Sequence, residues 1–436
     1  MVQAAPYQVS LDADHARQLA VTGAALLLLD VPQGTLLGVD QQVFVVGPRF
    51  KGLKMLPPGV HFLSYQAAGR DGRVSPAVST FLALKPRDVV VRRWDAAQEG
   101  LVALADEDEV SRFAEGVRRF DFDSSLAPYD LAGCSQWHGL ACFIDEPLLH
   151  RLTPVGGEIS VMAEALDPDL MQPRTEAERR LVAQLQRWGR CFYTRLPRLV
   201  KTPGASGAEL TALNLDKTAA LEEAASQTGD PSGKALLGEL QFAYITFLFG
   251  RSLEGFLQWK ALVGLFLDCQ RGPLLSHTGL FVAFLATVQQ QLSAGLGLQQ
   301  KPQRRQQRRR GGIGEGEGSS SDDTEDEGDR GASSEGGGAL GLPLVEELLP
   351  DSFLRRRFGA FLEALHEEGT GSPPALTQQA AQLETLLRER LGWDFRVRQL
   401  PSGGCGCCGD EEGDDEDRPV VVELSQEERR LAGLEM

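Results

Sequence analysis

Three groups of residues in this chain have types and spacing that chemistry can use. Cys405, Cys407 and Cys408 form a Cys-x-Cys-Cys run that offers thiolates to a soft metal. A structural zinc site takes four ligands, and no second cysteine pair or neighbouring histidine completes the set, so reduced thiols are expected and no metal is assigned. Ser319, Ser320, Ser321 and Thr324 stand among Asp322, Asp323, Glu325, Asp326 and Glu327, a setting for acidophilic kinases. Each phosphate would add about −1.5 to −2 charges and so loosen a partner complex; an inert, solvated loop is the competing reading. His61 lies in the turn Pro57, Pro58, Gly59 beside Phe62. A lone histidine there reads as a hydrogen-bonded structural residue before it reads as a base.

Motifs of catalysis are missing from the sequence. There is no Gly-x-Ser-x-Gly elbow, no His-Glu-x-x-His pair and no phosphate loop ending in Gly-Lys-Ser/Thr. Gly312, Gly314 and Gly316 alternate in a polar stretch that does not follow a strand, so they form no phosphate cradle. No catalytic residue and no cofactor is assigned, and the chain is expected not to be an enzyme.

The formal charge of −17 opposes strong direct binding of nucleic acid, because phosphates require a positive field. A local exception is the basic run Lys301, Arg304, Arg305, Arg308, Arg309 and Arg310, which could steer RNA or direct nuclear import, although it also balances the acids that follow. Cys134, Cys142, Cys191 and Cys269 are scattered, and the total of 7 cysteines is odd, which suits a reducing compartment. The first residues carry Asp12, Asp14, His15 and Arg17 instead of a secretory pattern. Gly279 to Val288 is the apolar part of a stretch without charged residues, and about 20 apolar residues are needed to span a bilayer, so no membrane span is expected.

The elements that would position these residues fall into two regimes. A chain of 436 residues exceeds the roughly 250 to 300 that one core serves, so two domains are expected. Short apolar runs at Ala24 to Leu29, Val43 to Val46, Val60 to Leu63, Ser79 to Leu84 and Val89 to Val91 alternate with Gly and Pro, which predicts an antiparallel sheet or sandwich. From Thr175 the period changes: Leu181, Leu185, Trp188 and Phe192 share one helical face. Lys234 to Cys269 reads as two consecutive buried helices, with Gly250 as a stop and Ser252 as an N-cap. Leu376, Leu383, Leu387 and Leu391 predict a last core helix closed by Gly392.

The fold class is therefore α+β and multidomain, with a sandwich-like β-rich domain over residues 1–165 and an all-helical domain over 175–300 and 339–398. Residues 301–338 read as a disordered charged insertion, 401–417 as an acidic flexible linker and 418–436 as a strand-like tail. In that tail Val420, Val421, Val422, Glu423 and Leu424 could add to a sheet edge, either a partner's or the protein's own.

Three blocks carry a family resemblance. The first is Gly34, Thr35, Gly38, Asp40, Val46, Gly47, Pro48, Phe50, Gly52, Lys54, Met55, Pro57, Pro58, Gly59, His61 and Phe62. The second is Leu237, Gly238, Glu239, Leu240, Gln241, Phe242, Ala243, Phe247, Leu248, Gly250, Phe256, Trp259 and Lys260. The third is Trp393, Asp394 and Phe395 with the tail Pro419 to Leu424. In this order they resemble the signature of the Aar-two family of spliceosome assembly factors. The resemblance implies a helical domain similar to VHS modules and a pre-mRNA splicing role without catalysis. It implies binding to a Prp-eight-type core protein through its RNase H-like and MPN-like domains, on a precursor of the U-five small nuclear ribonucleoprotein (snRNP). A helicase would be kept off until maturation, and the protein would be found in cytoplasm and nucleus. A general interaction scaffold of another intracellular complex is the alternative, with an unrecognised enzyme third. The 301–338 insertion and the long cysteine-containing tether depart from shorter relatives.

Overall fold

The computed structural model describes residues 13–69, 73–165, 175–176, 178–180, 189–196, 204, 206–310, 352–367 and 373–395. Helix α1, Ala13–Thr22, leads into β1, Ala24–Leu29. The strands that follow are β2, Leu36–Val39, β3, Gln42–Val45, β4, Gly52–Leu56, β5, Gly59–Gln66, β6, Val78–Leu84, β7, Val89–Asp95, and β8, Gly100–Ala103. Two short strands, β9, Ala127–Pro128, and β10, Ile159–Ser160, complete two five-stranded sheets ordered β8-β7-β1-β4-β9 and β10-β6-β5-β2-β3.

The second sheet is antiparallel throughout, as the turn-rich sequence predicts. The first is mixed: β1 pairs with β7 in parallel and with β4 antiparallel. Its central strand explains why. Ala24 to Leu29 is apolar at every position, which suits a strand covered on both faces. Leu26 and Leu28 join Leu37, Val39, Leu63 and Leu82 between the sheets. Leu27 and Leu29 point the other way, toward Val91 and the apolar side of α2, Glu107–Arg118, which supplies Val110, Phe113 and Val117. The α2 N-cap, Asp106, accepts from the Asp108 backbone at 3.0 Å, and Glu107, Asp108 and Glu109 complement the positive end of the helix.

Three helices, α3, Cys134–Ala141, α4, Glu146–Leu152, and α5, Val161–Ala165, lead out of the sheets. The helical region then runs through α6, Gly207–Leu215, α7, Thr218–Gln227, α8, Lys234–Leu248, and α9, Leu253–Leu267. After a π-helical turn at Gly272–Ser276 come α10, Thr278–Arg310, α11, Phe353–Glu367, and α12, Pro374–Leu391. Every residue of α8 from Leu236 to Phe247 is buried, so this helix is apolar all round because it has neighbours all round. Ser252 caps α9 as expected, its Oγ accepting from the Gly255 backbone at 2.8 Å. The left-handed residue of that turn is Arg251, at φ 65°, and not Gly250. Gly250 is needed for proximity: a Cβ there would meet Phe62 and Ser79 of the second sheet at 2.9 Å each.

Other expectations are corrected. Phe192 belongs to a non-helical segment, 189–196, whose first residue bridges to Ile159, and its side chain is 47 % exposed. Leu181, Leu185 and Trp188 lie outside the described residues. The apolar run after residue 277 is also longer than Gly279 to Val288. Thr278–Gly297 has a mean hydropathy of 1.2 and passes for a bilayer span by length and composition. Its Phe281, Phe284, Leu285, Val288 and Leu292 are buried against other helices, which gives that apolarity a place in the core. The α10 helix runs as far as Arg310, so its end overlaps the start of the expected insertion. Residues 311–338 lie outside the described ones. Gly392, at φ 68°, closes α12 as expected, donating its N–H to the Arg388 carbonyl while Trp393 donates to that of Leu387.

Sheets and helices share one hydrophobic cluster. Phe62 meets Phe81 edge to face at 4.8 Å, and Phe81 stacks on Phe242 of α8 at 4.6 Å. Trp137 and Leu140 of α3 and Leu148, Leu149 and Leu152 of α4 belong to the same cluster.

Candidate functional site

The first signature block folds into a buried polar lock. Asp40 sits between β2 and β3 at φ 55°, a left-handed conformation that Asp tolerates better than most residues. Its carboxylate accepts from the His61 Nδ1 at 2.7 Å, the Tyr129 hydroxyl at 2.6 Å and the Phe62 backbone at 2.8 Å. His61 Nε2 faces the Pro57 carbonyl at 2.6 Å. Only an imidazolium can donate at both nitrogens, so the geometry calls for the charged form. Asp40, His61 and Tyr129 are each at most 3 % exposed, and the constellation, suggestive of acid–base chemistry on paper, is closed to any substrate. Burial and then the Asp40 carboxylate push the Tyr129 hydroxyl far above its ordinary range, which keeps it a donor.

Burial alone would lower the pKa of His61, but Asp40 on one side and the Pro57 carbonyl on the other overcome it and raise the value above 6.5. A folded pKa above the unfolded one contributes stability that is whole below pH 6.5 and lost as the pH climbs through the raised value. The expected result is a urea midpoint that falls with rising pH above 6.5, with a smaller fall in His61→Gln. Parallel pH profiles for the two proteins would refute the assignment.

The remaining residues of this block shape the same hairpins. Gly34, at φ 85°, donates its N–H to the Val46 carbonyl at 2.8 Å, and Gly47, before Pro48, accepts from Phe50. Pro57 and Pro58 precede Gly59, at φ 142°, in the β4–β5 turn. Lys54 pairs with Asp123, and its carbonyl accepts from Tyr129, which brings β9 alongside β4.

The second block builds a lock between helices. Glu239 is fully buried in α8 and accepts from Arg151 Nη2 at 2.8 Å, the Thr194 backbone at 2.8 Å, the Thr194 hydroxyl at 2.6 Å and Gln258 Nε2 at 2.8 Å. One carboxylate thus ties α4, the 189–196 segment and α9 to the central helix. Gln241 accepts from the Phe143 backbone at 2.7 Å and donates to the Gly139 carbonyl at 3.1 Å. Gly238 allows this approach, since a Cβ would come within 2.4 Å of the Phe143 carbonyl oxygen. Trp259 donates to Gln291 Oε1 at 2.8 Å, and Gln291 donates to the Leu240 carbonyl at 3.2 Å, joining α9, α10 and α8.

In the third block Trp393 is buried, and Phe395 meets it edge to face at 6.2 Å, with Asp394 between them. Ser319, Ser320, Ser321, Thr324, Cys405, Cys407, Cys408 and the tail Val420, Val421, Val422, Glu423 and Leu424 lie outside the described residues. The signature residues therefore gather around two separate locks joined by the Phe62, Phe81 and Phe242 rings, and not around one cleft. Sequence reasoning missed Tyr129, Arg151, Thr194, Gln258 and Gln291 as partners. The one available signal was a polar residue inside an apolar helix, as with Glu239, Gln241 and Gln291. Among the described residues no group of three or more His, Cys, Asp or Glu could hold a metal ion.

Comparison with known proteins gives this framework a family. The AAR2 N-terminal domain matches residues 22–154 and the AAR2 C-terminal repeat region matches residues 193–396. The protein AAR2 homolog of Mus musculus is 32 % identical over 307 residues, covering 65 % of this chain and 79 % of the relative. That of Homo sapiens is 31 % identical over 307 residues with the same coverage, and that of Caenorhabditis elegans is 29 % identical over 297 residues, covering 62 % and 78 %. With both halves matched in order, the chain belongs to the AAR2 family.

Proposed function

We propose that this chain is an assembly factor of the U-five snRNP that escorts a Prp-eight-type core protein by occupying its RNase H-like and MPN-like domains and keeping a helicase off until maturation. Family membership over both halves of the chain carries the reading. The described polar clusters support it, because their buried donors and acceptors are consumed by holding sheets and helices together. What remains for function is the outer surface. Exclusion by occupancy requires only overlapping surfaces and a differential affinity that favours the escort before maturation and the competitor after it.

In this reading Val420 to Leu424 add to an edge of the client, with Val420, Val422 and Leu424 on one side of the strand. Each hydrogen bond is worth about 0.5–1.5 kcal/mol, so a few of them with buried valines make a reversible clamp. Phosphorylation at Ser319, Ser320, Ser321 and Thr324 adds negative charge and favours release, and the protein works in both cytoplasm and nucleus. Deleting residues 418–436 is expected to weaken binding to the client's RNase H-like domain by roughly tenfold or more, given that each 1.4 kcal/mol is a factor of ten. Calorimetry with the purified full-length chain and that domain measures it. Retention of full affinity removes the tail from the mechanism, and no binding at micromolar concentration by the intact chain removes the escort reading itself.

A further inference from the structure

The outer side of α9 carries an apolar face. Arg190 pairs with Glu254, and the Thr194 carbonyl accepts from Gln258 Nε2 at 3.0 Å, so the 189–196 segment runs along one turn of α9. Phe192 is midway between those two anchors and is 47 % exposed. Leu253 and Leu257, each one position before an anchored residue, are 57 % and 56 % exposed. Single exposed apolar residues are ordinary, but two one turn apart on α9, with a third on the segment anchored to that turn, call for an occupant.

The neighbouring helix indicates which one. Lys260 lies 4.7 Å over the Phe353 ring, and Arg357, one turn further along α11, donates to the Gly264 carbonyl at 3.2 Å and pairs with Asp268. Successive turns of α11 therefore meet successive turns of α9 in the same direction. The chain entering α11 comes in at the level of Lys260, one turn beyond Leu257, through Ser352, whose hydroxyl caps the Arg355 backbone at 3.3 Å. Just upstream in sequence stands Leu342-Pro343-Leu344-Val345-Glu346-Glu347-Leu348-Leu349. On a helical period Leu344, Val345, Leu348 and Leu349 fall on one side and the two glutamates on the other.

We propose that residues 344–349 dock in cis on the face made by Phe192, Leu253 and Leu257. Pro350 and Asp351 connect the docked residues to Ser352, three residue steps from Leu349 and a reach of about 10–11 Å at most. So short a tether holds the segment at about millimolar effective concentration, so even a weak apolar contact is populated. The α9 face is the seat of the stretch that leads from the insertion into α11, which orders that stretch against the helical core. This inference does not depend on the client reading.

Hydrogen exchange measured on the full-length chain tests it. Leu253→Asp with Leu257→Asp changes exposed positions, so the thermal midpoint should hardly move. The peptide containing residues 344–349 should be protected in the parent and exchange roughly tenfold faster in the double variant. A second variant, Leu257→Cys with Leu348→Cys, should form an intramolecular disulfide under mild oxidation, whereas a Leu275→Cys with Leu348→Cys control should not. Equal exchange in parent and variant overturns the proposal, as does an unprotected segment in the parent. Protection that fades on dilution assigns the face to a second copy of the chain, and loss of client affinity in the double variant without any change at 344–349 assigns it to the client. Both results overturn docking in cis, and the second leaves the escort reading standing.

Discussion

Asp40→Ala is expected to lower the unfolding free energy by about 3–5 kcal/mol, the usual cost of removing one partner of a buried ion pair. Three donors lose their acceptor at once: the His61 imidazolium, the Tyr129 hydroxyl and the Phe62 backbone. Nothing else in the lock can replace it, because His61 and Tyr129 are almost completely buried. Alanine must also hold φ 55°, where aspartate and asparagine are at less disadvantage. Asp40→Asn separates the two effects, since it keeps the backbone preference and an acceptor oxygen but not the charge. It should recover part of the loss and abolish the pH dependence attributed to His61. Domains are stable by only about 5–15 kcal/mol, so the alanine variant should show a large fall in urea midpoint at unchanged slope. A loss under about 1 kcal/mol would mean that the lock is dispensable, because a typical neutral hydrogen bond is worth that much.

Elements whose signal is local were legible in the sequence. Ala24 to Leu29 and Ser79 to Leu84 announce strands through apolar runs bounded by turn residues. The helices around Ser252 and before Gly392 announce their ends through capping chemistry. Pairing was not legible. That β1 lies parallel to β7 and antiparallel to β4 depends on connections tens of residues long, and nothing in Leu26 or Leu27 encodes which strand it meets. Phe192 misled for a related reason: its helical spacing from Leu181 was real, but the 189–196 segment is held in a non-helical path by bonds to Leu152, Glu239 and Gln258, all distant in sequence. Gly250 was read as a helix stop, whereas its lack of a side chain serves an approach to Phe62 that only the folded chain reveals. Of the candidate site, sequence supplied both sides of the contacts of Asp40 with His61 and Phe62 but only one side of those with Tyr129, Arg151 and Thr194. Asp40, His61 and Glu239 were visible in motifs, while Tyr129, Arg151 and Thr194 carried no mark.

Glu239→Ala tests whether that second set of contacts holds the helical region to the rest. The carboxylate accepts four hydrogen bonds, two of them from Thr194, and its side chain has no exposure. Removing it leaves the Thr194 N–H buried without its acceptor and the Arg151 guanidinium, 28 % exposed, without its carboxylate. The expected loss is again about 3–5 kcal/mol, the upper part of the range for single substitutions. The distribution of the damage is the sharper prediction. Thr194 and Gln258 keep their direct bond, and Arg151 can still reach the Thr194 hydroxyl, so α4 and α9 should stay folded. The 189–196 segment, left with only the Tyr193 hydroxyl on Thr246 and the Tyr193 ring on Phe242 to hold it to α8, should open first. Amide exchange of residues 190–196 should therefore rise far more than that of α8, and Arg151→Ala, whose side chain is partly solvated, should give a milder version of the same pattern. Uniform acceleration across the helical region would show instead that Glu239 supports the core as a whole and that the segment follows it passively.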